Sequence, residues 1–177
     1  MLAMIFDTET TGLISNHLIP LKRQPELIEF YGALVNLESG DVLKELHAFV
    51  KPAERIPDEV IKITHITNEM VADKPPFKDY ADSIKSFIEE SPQIIAHNAS
   101  YDKEIMDFEF ERMSQKLKWP RLICSVEQTI FMKGYRLNLQ SLHMLLFKEN
   151  FVEAHRAIND AKALIKCCVE LYRLEML

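Results

Sequence analysis

Apolar and polar positions along this chain alternate in two rhythms, and each change of rhythm marks a new element. "MIFDTETTG" (Met4–Gly12) opens apolar and then steps in twos, which predicts a strand with Ile5, Asp7 and Glu9 on one face. "LISNHLIPLKRQPE" is polar, carries two prolines and reads as a loop. "LIEFYGALVNLESGDVLKELHAFVKP" holds two β-rich runs about Ser39-Gly40, the pattern of an antiparallel hairpin. "IPDEVIKITHITNEMV" predicts a helix, with Pro57 suited to its N-terminus and Asp58 and Glu59 complementing its dipole. A second helix is expected over "DYADSIKSFIEE", closed by Pro92. "QIIAH" is a short buried strand leading into a long helix near Ser100. There Met106, Phe110, Met113 and Leu117 recur at helical spacing as a buried stripe.

"RLIC" reads as a further strand, and Ser125 with Gln128 as a capping-box helix start. Two helices follow, one on Leu139, Leu142 and Leu146, the other on Leu164, Cys167, Leu171 and Leu174. The order β-β-β-α-α-β-α-β-α-α-α predicts an α/β sandwich, a mixed sheet with helices on both faces. There is no internal repeat or low-complexity tract, so residues 1–177 are expected to form one domain.

Composition narrows the function. The chain is 47% hydrophobic, yet no apolar stretch approaches the ~18 residues of a membrane span. "MLAMIF" lacks a basic region and a cleavage site, so an intracellular, cytoplasmic protein without a membrane partner is expected. Three cysteines, Cys124, Cys167 and Cys168, suit a reducing compartment better than a disulfide framework or a zinc site. The net charge of -6 argues against tight long-range binding of duplex nucleic acid, but allows a small basic groove.

The acids carry the chemistry. Asp7 and Glu9 share a strand face. Asp102 lies four residues before Met106, and Asp160 four before Leu164, so each caps the buried stripe of its helix. Either helical acid alone is equally well explained by the helix dipole. All four together are not, because buried carboxylates repel unless cations pair with them. A divalent metal site removes the conflict, and all-oxygen ligation points to Mg²⁺ or Mn²⁺. His155, five residues before Asp160, turns by about 140° from it on an ideal helix. It should sit off the stripe, where an imidazole can act as a general base.

"FDTETTG", "HNASYDKE" and "HRAINDA" resemble, in order, the three exonuclease motifs of the DEDD superfamily of 3′–5′ exonucleases. The five-residue step from His155 to Asp160 resembles its histidine branch, which includes proofreading epsilon-type subunits and RNase T-like enzymes. The likeness runs from Ala3 to about Leu171. It implies an RNase H-like fold with a five-stranded mixed sheet, and two metals roughly 3.5–4 Å apart at the scissile phosphate. By the family pattern Asp7 bridges both metals, Glu9 and Asp160 hold one, Asp102 supports the other, and His155 takes a proton from the attacking water. The substrate implied is the 3′ end of a single strand, DNA favoured, with 5′-mononucleotides as products.

The likeness also implies contacts to the terminal nucleotide from Thr8, Thr11, Gly12 and Leu13, and from Asn98 in "HNA". Gly12 reads equally well as a turn glycine. Three departures stand out. Tyr101 replaces a more usual Phe. "ITHIT" stands where relatives carry H-G-I-T or T-G-I-T, so His65 either stacks on a nucleotide or fills the glycine position. The loop 14–26, with Lys22 and Arg23, is either a substrate lip or a solvated insertion. An exoribonuclease on the same scaffold is the enzymatic alternative; "FDTETTG" rather than the D-x-E-M-T-G of oligoribonucleases argues against that group alone. A binding module without catalysis fits poorly, because all five catalytic positions are intact. A polymerase or repair partner is not legible in the residues.

Overall fold

The structure, a computed structural model, describes residues 1–14, 16–152 and 154–177; Ser15, inside the expected loop, lies outside the described residues. Five strands form one mixed sheet: β1 (Leu2–Thr10), β2 (Leu27–Asn36), β3 (Val42–Phe49), β4 (Gln93–Ala96) and β5 (Arg121–Cys124), in the order β3-β2-β1-β4-β5. The β1–β2–β3 meander is antiparallel, and β4 and β5 join parallel to β1. This is the mixed, five-stranded sheet expected. β1 is its middle strand and is buried on both faces, which explains why an apolar run precedes its acids.

Seven α-helices are described: α1 (Asp58–Thr64), α2 (Asn68–Val71), α3 (Ala81–Glu89), α4 (Ala99–Arg112), α5 (Ser125–Thr129), α6 (Leu139–Phe147) and α7 (Ala157–Arg173). None is long and apolar enough to cross a membrane. Alternation along β1 divides the core. Ala3 and Ile5 pack with Leu142, Leu164, Cys167 and Leu171 of α6 and α7. Met4 and Phe6 pack with Ile84 and Phe87 of α3 and with Met106 and Phe110 of α4. The layers are helix, sheet, helix.

Two expectations are corrected. The single helix expected over "IPDEVIKITHITNEMV" is two, because His65 turns left-handed (φ 58°) and its N–H closes α1 on the Ile61 carbonyl at 2.9 Å. Nor is Ser125 a capping-box residue: no side chain caps α5. The Ser125 hydroxyl instead lies 2.9 Å from His97 Nδ1, while His97 Nε2 lies 3.1 Å from the Leu137 carbonyl. Met113 ends α4 and Leu117 lies beyond it, although both still pack on the α3–α4 core.

Candidate active site

Strand alternation brings Asp7 and Glu9 to the α7 side of β1, and the first turn of α7 brings Asp160 to meet them. One carboxylate oxygen from each lies within 4.8 Å of the others. Asp102 approaches from the other layer. Its Oδ1 accepts from the Thr8 N–H at 3.1 Å and the Thr8 hydroxyl at 2.7 Å, which ties α4 to β1 between the other two acids.

This crowding is costly to ionise. Burial, then the charges of Asp102, Asp160, Glu9 and Glu29, push Asp7 well above the usual carboxylate range. Burial, with Asp160 and Glu29 behind it, raises Glu9 to about 8. Burial raises Asp102 to about 7 against its Thr8 hydrogen bonds, and Asp160 to about 6 against the His155 N–H. Among the described residues the Asp160 Oδ1 is buried without a hydrogen-bond partner, although Oδ2 accepts from the His155 N–H at 3.0 Å. An oxygen left bare amid three other carboxylates fits a cation with oxygen preference.

His155 lies two residues before α7, with an exposed side chain and a left-handed backbone (φ 67°). That conformation is uncommon for a non-glycine residue. The main chain of His155 is fixed to Asp160 while its ring faces solvent, off the buried stripe as expected.

The remaining expected residues divide. The Thr8 hydroxyl is already committed to Asp102. Thr11 joins Glu26 through two hydrogen bonds of 2.9 Å, which closes the base of the 14–26 loop. Leu13 is 83% exposed, three residues beyond the end of β1. Gly12 has no positive φ, and an added Cβ would meet nothing within 4 Å, so neither turn geometry nor packing requires glycine there. Asn98 begins α4 in a left-handed conformation, with Oδ1 accepting from Arg136 at 2.9 Å. His65 is exposed and occupies the positive-φ position that glycine would favour. Lys22 and Arg23 are exposed in a 3-10 turn along a cleft shared with Thr11 and Arg55. Arg112 holds that turn by donating to the carbonyls of Leu21, Gln24 and Pro25.

The tyrosine departure also has a use. The Tyr101 hydroxyl lies 2.7 Å from the Thr10 hydroxyl and 2.8 Å from the Gly12 carbonyl, pinning the turn after β1 to α4.

Sequence reasoning missed Glu29. It is buried on β2 opposite Glu9, yet belongs to a different network. Its carboxylate accepts from Arg156 at 3.0 and 3.1 Å and from the Ala157 N–H at 3.0 Å, and it lies 2.7 Å from His47 Nε2. His47, on the exposed side of β3, is thus not idle. Burial would raise Glu29; hydrogen bonds from His47, Arg156 and Ala157 outweigh it and hold the carboxyl below its usual range. A lone acid within "LIEFYGALV" was the available signal. Glu29 fixes the start of α7, and with it Asp160 and His155, to the sheet.

Removing one partner of a buried ion pair typically costs about 3–5 kcal/mol. Glu29→Ala should lose stability on that scale in urea melts, whereas His47→Ala should lose much less. The depressed carboxyl stabilises the fold above its unfolded value of 4.5, and that contribution disappears as pH falls through its folded value. Acid melts of Glu29→Gln should therefore lack this part of the wild-type decline. An unchanged stability in both Glu29 variants would remove its anchoring role.

Comparison with known proteins decides the family. The exonuclease (RNase_T) family model matches residues 4–168. This chain belongs to the exonuclease family. DNA polymerase III subunit epsilon of Haemophilus influenzae is 33% identical over 167 residues, which are 91% of this chain and 63% of that one. The chain thus spans under two thirds of that relative's length. Among solved structures, exonuclease X in complex with 5′ overhanging duplex DNA superimposes with TM-score 0.72 at 22% identity, covering 97% of this chain and 92% of that one. The nuclease domain of 3′hExo, a DEDDh family member bound to rAMP, gives 0.77 at 15% identity, with the same coverages of 97% and 92%. At such identities the structures establish the RNase H-like fold. The family membership places the protein among the DEDD 3′–5′ exonucleases.

Proposed function

We propose that this exonuclease hydrolyses the terminal phosphodiester at the 3′ end of a single strand, DNA favoured, and releases 5′-mononucleotides. The observation that carries the reading is the cluster of Asp7, Glu9 and Asp160 oxygens within 4.8 Å, with His155 exposed beside it. Asp7, Glu9 and Asp160, with Asp102 on the far side of β1, would hold Mg²⁺ or Mn²⁺. Such ions supply charge stabilisation for the attacking and leaving oxygens of an in-line displacement. His155 takes the proton of the attacking water. The new bond forms between that water and phosphorus, and the bond to the 3′ oxygen breaks. The leaving 3′ oxygen takes a proton from solvent, which leaves a 3′-hydroxyl on the shortened strand, and His155 returns its proton to solvent. Glu29 and Arg156 hold the histidine's segment in place, and Thr8 orients Asp102.

Gly12 and Leu13 would meet the terminal nucleotide, the glycine by leaving its backbone open to the sugar and the leucine by wedging against the base. This makes a separable prediction. Gly12→Ala should fold and melt as wild type does, because its Cβ meets open space. Its KM for an oligomer should rise several-fold. A lowered melting temperature would show that the glycine serves the turn instead.

The test of the activity is digestion of matched 5′-labelled DNA and RNA oligomers in Mg²⁺, each with a free or blocked 3′ end. Progressive shortening from the free 3′ end, faster on DNA, is expected. Efficient cutting of a closed circular strand would overturn the exonuclease reading, and faster loss of RNA would reassign the substrate. The Haemophilus relative is a DNA polymerase III subunit by name. A polymerase or repair partner for this chain is a further proposal that co-purification with replication proteins would test.

A further inference from the structure

Beyond the acid cluster, the segment between β5 and α6 is unusual for so acidic a chain. Phe131 is 63% and Tyr135 60% exposed, with Lys133 between them and Arg136 beside them. Lys133, Tyr135, Lys148 and Asn150 help to line an open pocket of about 380 Å³ with an apolar floor that includes Leu137. Among the described residues neither Lys133 nor Lys148 has an acidic partner. A chain of net charge -6 thus keeps two unneutralised cations and an exposed aromatic ring at one pocket.

One wall of this pocket is joined to the start of α4, which carries Asp102. The Leu137 carbonyl lies 3.1 Å from His97 Nε2, and Arg136, next to Leu137 in sequence, donates to Asn98 Oδ1. Flexible cations beside an aromatic face are the combination that binds single strands: phosphates meet the cations and bases stack without sequence preference.

We propose that this pocket is a subsite for the body of the substrate strand, upstream of the 3′ end. Tyr135 stacks on a base, and Lys133 and Lys148 meet backbone phosphates. The proposal rests on the reading of the chain as an exonuclease on single strands, and supplies the grip that the acid cluster, itself repulsive to phosphates, does not.

The test pairs the variant Lys133→Ala/Tyr135→Ala with two substrates, a dinucleotide, which has no upstream strand body, and an oligomer of about ten nucleotides, within the site sizes of single-strand binding folds. The variant should cleave the dinucleotide as wild type does. On the oligomer its KM should rise about tenfold with kcat unchanged, consistent with loss of one stacked base and one phosphate contact. Tyr135→Phe, which keeps the ring, should retain the wild-type KM. Binding of the labelled oligomer to both proteins, followed by anisotropy across a salt series, answers the question even if no cleavage is seen. The variant should bind more weakly and with a shallower salt slope. Wild-type affinity and slope would overturn the subsite and leave the pocket as a surface for a protein partner. Equal losses on dinucleotide and oligomer would also overturn it. Absence of cleavage by the wild type, with oligomer binding still dependent on Lys133 and Tyr135, would instead count against the hydrolytic reading alone.

Discussion

Asp7→Asn should abolish cleavage and yet leave the protein, in chelator, at least as stable as wild type. Asp7 is pushed upward by burial and by four neighbouring carboxylates, so its charge opposes the fold when no cation is bound. Asparagine keeps the shape and removes that charge. The pH dependence follows the same sign. The folded protein holds protons on Glu9 to about pH 8, against 4.5 for the unfolded value, and on Asp102 to about 7, against 3.8. Their contribution to stability is therefore complete below the unfolded values and is lost as pH rises through the folded ones. Melts in chelator should show the wild type losing stability as pH rises from about 4 to 8, and Asp7→Asn should lack the share of that loss that the raised Asp7 carboxyl contributes. Adding Mn²⁺ in about hundredfold excess over its dissociation constant should stabilise the wild type by about 2.7 kcal/mol. For a chain of this size that is a rise of roughly 5–10 °C in Tm. The variant should respond much less, the trade expected where function strains a site. A marked drop in the variant's Tm in chelator would mean that Asp7 has a structural partner.

His155→Ala should lower kcat by roughly 10²–10⁴-fold, the usual share of a general base. The metal-induced rise in Tm should persist, because the ring stands outside the carboxylate cluster and only the main chain of His155 touches Asp160. The backbone there is left-handed, so alanine also adds strain. His155→Asn is the control, since asparagine tolerates that conformation. Both variants should lose turnover alike while Asn restores any lost stability. Loss of the metal response in both would make the histidine a ligand instead.

Period-two alternation was enough to put Asp7 and Glu9 together, because β1 is regular through Glu9. The stripes of α4 and α7 likewise placed Asp102 and Asp160, since a helix fixes the face a residue takes four positions before a core residue. What sequence could not supply were choices made by distant partners. Ser125 and Gln128 satisfied the local rule for a helix cap, but His97 captured the serine hydroxyl. The hydrophobic pattern runs unbroken through His65, and nothing local announces a left-handed histidine. Glu29 and Arg156 are 127 residues apart, and their pairing exists only once β2 and α7 have met.

The acids stand on β1, α4 and α7, so they come from segments far apart in sequence and from both helical layers. During synthesis Asp7 and Glu9 leave the ribosome well before Asp160. A nascent chain that lacks α7 cannot assemble the cluster, and one whose sheet has not closed presents only scattered carboxylates. Latency during synthesis is therefore built into the topology: the proposed cutting site forms only once α7 has docked on the sheet.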